Sequence, residues 1–138
     1  MNGVERTTFF PTAKEVAQAL GMRIDPDEEP EQGHYYRSDH FSLGKVGIPA
    51  FSIEAGADVI GQPAGYGKKQ RDFYRENNYH QPTDEFDPKW DWSEGVQMSK
   101  LGFWLGWEAA QAPAVPNWRP GDEFRAARDK SLKGEKKE

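Results

Sequence analysis

The chain has 138 residues, room for one domain, and only 36% of them are hydrophobic against 30% charged. A net charge of −5 speaks against a nucleic-acid surface, and no apolar run approaches the ~20 residues that span a bilayer. The absence of cysteine removes disulfides, thiolate metal sites and cysteine nucleophiles together. Aromatic residues make up 13%, so the apolar surface is concentrated in large rings and the core is thin for an independent fold.

In chain order, residues 12–20 read as a short helix: Thr12 and Glu15 form a capping box, Val16, Ala17 and Leu20 an apolar stripe, and Gly21 a stop. The acidic, proline-broken turn from Asp25 to Gly33 holds Glu28 and Glu29, whose natural reading is solvated charge. Ser38 or Asp39 caps a second short helix running through Phe41, Leu43 and Lys45 to Gly47. Ile48 to Gly56, IPAFSIEAG, reads as a buried strand. A glycine-rich loop from Gly61 to Gly67 leads into Lys68–Asn78, a polar helix or an ordered loop.

The longest predicted helix begins at Asp91, a good N-cap with Glu94 three residues on, and runs to about Ala110. Trp92, Val96, Leu101, Trp104, Leu105 and Trp107 cover a broad face expected to be core, whereas Trp90 and Trp118, in proline-rich stretches, are expected at the surface. Pro113 and Pro116 end the helix, and a Pro-rich, charged tail (113–138) follows, expected to be solvated and partly frayed, with Asp129, Glu135 and Glu138 among its basic residues. One strand cannot cover a helix of this kind, so either further strands lie hidden in the loops or, the favoured expectation, the rest of the sheet lies outside this chain.

Three histidines are present. His34, beside Tyr35 and Tyr36, has no companion at ligand spacing and reads as a loop-packing residue. His40 follows Asp39, and His80 precedes Asp84 by four residues, so each could pair with a carboxylate that fixes its tautomer, as happens around zinc. Spacing alone leaves both open between a ligand and the commoner hydrogen-bonded structural residue. No GxSxG elbow, HExxH pair or GxxxxGK[ST] phosphate loop occurs.

RSDHFSLGKVGIPAFSIEAG followed by YHQPTDEF resembles the C-terminal half of the co-catalytic zinc peptidases, the family of bacterial leucyl and lysyl aminopeptidases, glutamate carboxypeptidase and glutaminyl cyclase. The likeness runs from about Arg6 to Arg128, and the order and spacing of its pieces carry it. It implies an α/β fold, a partial three-layer α/β/α sandwich with most of the central sheet missing, and a division into a peptidase portion (1–112) and the tail. It implies zinc, two ions in a complete domain, with His80 as the last ligand. Ser38, Asp39, His40, Tyr79 and Asp84 are implied as orienting groups or walls of a peptide-substrate pocket.

The family's other four ligands and its general base have no counterpart here: no HxD occurs, and Glu28 and Glu29 lie too close to the SDH segment to be the family's Glu–Glu pair. No catalytic residue is therefore assigned within this chain. Weak or no zinc binding, inactivity alone, and a missing N-terminal half or oligomer partner are the expectations. The resemblance suggests a secreted or periplasmic parent, although the N-terminal MNGVERTTFF lacks a secretory apolar region. The competing expectation is a non-catalytic, aromatic-rich module that binds peptide or glycan.

Overall fold

The computed structural model describes residues 1–27, 29–59 and 61–134. Glu28 of the paired glutamates, and Glu135 and Glu138 of the tail, lie outside the described residues. Five α-helices occur in order: α1 (Phe10–Ala19), α2 (His40–Lys45), α3 (Tyr66–Asn77), α4 (Ser93–Gln111) and α5 (Arg125–Gly134). None is long and apolar enough to cross a membrane among the described residues. The chain divides into two units, one of residues 1–54 with 97–138 and one of residues 55–96.

The expected α/β sandwich is not what forms: the described residues contain no strand and no sheet. The run read as a strand, Ile48 to Gly56, makes a single antiparallel rung in which Asn2 and Ser52 exchange two backbone hydrogen bonds of 3.1 Å. The ladder stops there for a local reason. Gly3 turns into the left-handed region (φ 96°) and the chain enters a 3-10 turn at Val4–Arg6, so no partner backbone continues beside Phe51 or Ile53. A second lone rung joins Thr7 to Trp118.

In the first unit, α1 starts one turn earlier than its capping box would place it. Phe9 occupies the cap position without a side-chain bond, and Pro11 stands in the first turn, where its missing N–H is no loss. Ala13, Val16 and Ala17 bury the inner face of α1 against Val4, Phe9, Leu101 and Leu105. The α4 residues Leu101 and Leu105, four apart, suffice to cover so narrow a stripe. Phe103 and Trp107 fall on the opposite side of α4 and Trp104 on its flank, and they stand 62%, 51% and 44% exposed. The expectation that Trp104 and Trp107 form core is thereby corrected, as it is for Trp92 and Val96, 55% and 51% exposed.

Trp118 departs from expectation in the other sense. It is fully buried with Tyr35 and Phe124 in a second cluster, and its Nε1–H donates to Gly47 O at 3.0 Å. Arg6 lies among these rings and its guanidinium is bonded to Asp122 and Glu123, both at 2.8 Å. Gly47 (φ 88°) brings the chain so close to α5 that a Cβ there would sit 2.4 Å from Arg128 N. α5 thus gives the basic tail helical structure as far as Gly134.

In the second unit, α3 follows Gly65 and ends at the Asn78 cap. Beyond it, Phe86, Trp90 and Trp92 pack ring on ring, with centroids 5.6–6.3 Å apart. Asp91 precedes the first turn of α4, and its Oδ1 accepts the Ser93 amide at 2.9 Å.

Two tryptophans separate this packing from the one the sequence suggests. Trp118→Ala should lower the unfolding free energy by about 3–5 kcal/mol through a buried cavity, whereas Trp104→Ala should stay within about 0.5 kcal/mol. Urea denaturation followed by far-ultraviolet circular dichroism measures both.

Candidate functional site

His80 lies in the turn that follows α3 and is the one non-glycine residue in the left-handed region among those described (φ 59°). Its ring is exposed and stacks on Tyr79, with centroids 3.9 Å apart and planes 21° from parallel. The turn is closed by its own polar groups. Asn78 N and Tyr79 N both donate to Tyr74 O, at 2.8 and 2.9 Å, and Gln81 N donates to Asn78 O at 2.9 Å. Asn78 Nδ2 donates to Thr83 O at 2.9 Å, while Thr83 Oγ1 donates to Asn77 O at 2.6 Å. Exposed Ser/Thr/Asn side chains hold turns in this way because they offer the backbone partners that a helix end leaves without one.

Asp84 sits at the end of the same turn. Its Oδ2 accepts the Tyr74 hydroxyl at 2.8 Å, and no hydrogen bond joins it to His80 among the described residues. The tyrosine hydroxyl is pushed up in pKa, first because deprotonation would forfeit that bond to a carboxylate. Sequence reasoning proposed Asp84 and His80 as a direct pair and passed over Tyr74. Ten residues separate Tyr74 from Asp84, and only the folded turn sets them face to face.

The SDH segment belongs to the first unit. Ser38 Oγ donates to His34 O at 2.8 Å, closing the 3-10 turn His34–Arg37, and Asp39 takes the cap position of α2 without a side-chain bond. His34 Nε2 lies 3.9 Å from a Glu29 carboxylate oxygen, a loose contact between two half-buried groups. His40 meets Tyr35 edge-on, with centroids 4.6 Å apart, and its Nε2 is shielded from solvent without a hydrogen-bond partner. Burial lowers the His40 pKa, opposed by the weaker fields of Glu54 and Asp39. Burial likewise pushes Tyr35 up to about 12.

The fold therefore favours neutral His40. Its contribution to stability is complete above the ordinary imidazole value of about 6.5 and is lost as pH falls below it. The difference in unfolding free energy between the native chain and His40→Phe should shrink from pH 7 to pH 5, as urea titrations at each pH would show. A pH-independent difference would contradict the shielded imidazole.

The two sets of residues singled out by sequence thus form one turn, with Tyr79, His80 and Asp84, and one helix start, with Ser38, Asp39 and His40, each held by its own local bonds. Among the described residues, no group of three or more His, Asp or Glu side chains stands close enough to hold a metal ion. No match was found among curated proteins or solved structures. The family model for peptidase family M28 matches residues 1–101, which is most of the chain. With the match spanning both the SDH segment and the His80 turn, this chain belongs to peptidase family M28.

Proposed function

We propose that this chain supplies one zinc donor, His80, and its supporting scaffold to a metallopeptidase centre whose other donors and general base come from polypeptide outside these residues. Membership of the peptidase family supports metallopeptidase-type chemistry in general, and zinc is the metal that such chemistry generally uses. The residues at hand do not fit a complete metal cage, because a zinc site takes three or four protein donors and the described residues bring no three together. That donor deficit carries the proposal.

In this reading the complete domain cleaves peptides next to a free N-terminus and holds two ions. Residues 1–112 form the C-terminal portion of its peptidase domain, and the segment that follows packs back on that portion through Trp118, Asp122, Glu123 and Phe124. Tyr79 and Asp84 flank the donor, Ser38, Asp39 and His40 belong to the pocket wall, and the chain by itself hydrolyses nothing. A lone exposed imidazole holds zinc too weakly at neutral pH to persist.

A second reading is favoured by one observation: Phe86, Trp90 and Trp92 form an exposed three-ring cluster of the sort that binds peptide or glycan. The burial of Trp118 removes the other ring on which such a platform would have drawn.

Calorimetry on the purified chain should show no sub-micromolar zinc site, and a site that vanishes in His80→Ala would overturn the donor count. The DNA ahead of Met1 should carry in-frame HxD and Glu–Glu coding sequence. In the domain expressed from that longer frame, His80→Ala should reduce bound zinc from two ions to one and abolish aminopeptidase activity. For the second reading, tryptophan emission should shift on titration with a peptide or glycan panel and should cease to respond in Trp90→Ala.

A further inference from the structure

We infer that Tyr74 is the residue that positions His80, acting through a hydroxyl-to-carboxylate clamp on Asp84 and through the ring of Tyr79. This rests on the reading of His80 as a metal donor and adds to it the device that presents the imidazole. The starting observation is the left-handed backbone of His80 (φ 59°). For a residue with a Cβ that conformation is disfavoured by contact with the neighbouring backbone, so the surrounding turn has to impose it.

Tyr74 meets the turn on both of its sides. Upstream of His80, the Tyr74 carbonyl accepts the amides of Asn78 and Tyr79, and the Tyr74 ring lies 6.2 Å from that of Tyr79, which in turn carries the imidazole on its face. Downstream, the Tyr74 hydroxyl holds the Asp84 carboxylate at 2.8 Å. An ionised acceptor makes this the strongest kind of bond available to a tyrosine. Asp84 N donates in turn to Gln81 O, so the carboxylate and the backbone after His80 are fixed together.

Two consequences follow for the imidazole. Its plane is set by stacking on Tyr79 and its backbone by a turn closed at both ends, so the ring nitrogens are presented without any hydrogen bond to Asp84. And Asp84, the first carboxylate after His80 in sequence, is engaged by a neutral hydroxyl donor four residues before the cap of α3. Tyr74 acts on the imidazole only through Asp84 and Tyr79, so its role is that of a positioning residue, not a catalytic one.

The test is nuclear magnetic resonance of the full-length, metal-free chain, where the face of Tyr79 should displace the His80 ring protons upfield and the His80 amide–Hα coupling should report a left-handed φ. Tyr74→Phe keeps the ring and removes only the hydroxyl, and Asp84→Ala lies outside α3 and leaves every ring in place. Each should lose at least half of the upfield displacement with unchanged helical circular dichroism. The double variant should lose no more than either single one, because both remove the same bond. Asp84→Asn, which retains an acceptor oxygen, should preserve the signature.

Full displacement in either Tyr74→Phe or Asp84→Ala would overturn the proposal, as would summed losses in the double variant. Because the readout needs no metal, an intact signature together with a failed zinc measurement on the longer frame would remove the metal reading alone. A lost clamp with intact zinc loading would remove the role of Tyr74 alone.

Discussion

The guanidinium of Arg6 lies 4.7–5.9 Å from the ring centroids of Tyr35, Tyr36, Trp118 and Phe124, and its nitrogens bond Asp122 and Glu123. Burial alone would lower its pKa, yet the hydrogen bonds to the two carboxylates, followed by the field of Asp122, raise it on balance. Through that one cation the N-terminal segment, the 3-10 turn of Tyr35 and the segment from Trp118 to Phe124 become a single packed body. Arginine suits the position because its flat, weakly hydrated group can stack on rings and form bonds in its own plane at once. Glu123 also accepts the Tyr36 hydroxyl at 2.6 Å, and these contacts hold its own pKa down.

Around this body the chain settles into helices instead of the layered sheet that the family likeness implies. A sheet needs neighbouring extended segments, and Ile48 to Gly56 finds only Asn2 before Gly3 turns the other backbone away. With a single helix, α1, to cover it, α4 buries two leucines and leaves three large rings on its outer side. Among the described residues the outer rings of α4 stay uncovered, and no three metal-ligating side chains gather.

Most of the helices are legible in the residues. The α1 stripe of Val16 and Ala17, the stop at Gly21 and the long run of α4 are local patterns, and the structure places helices over them within one or two residues. His80 is singled out by its place in YHQPTDEF, but its left-handed backbone is not, because nothing in that string marks a non-glycine residue for positive φ. Caps were read less well. Thr12 and Glu15 fall inside α1, because Pro11 allows the helix to begin earlier.

By itself, the sequence determined where α1, α2 and α4 form and that three histidines and no cysteine are on offer to a metal, since periodicity, capping chemistry and residue counts are properties of neighbours along the chain; α5 escaped it, because Arg125–Gly134 reads as a charged tail. Tertiary structure alone decided that Trp118 is core and Trp104 is surface, that Asp84 accepts from Tyr74 and not from His80, and that no sheet assembles among the described residues. Those outcomes depend on which distant segment arrives to cover a given face. A tryptophan in a proline-rich stretch is buried when Gly47 offers its carbonyl and Arg6 its cation, and a tryptophan at helical spacing stays in water when nothing comes to meet it.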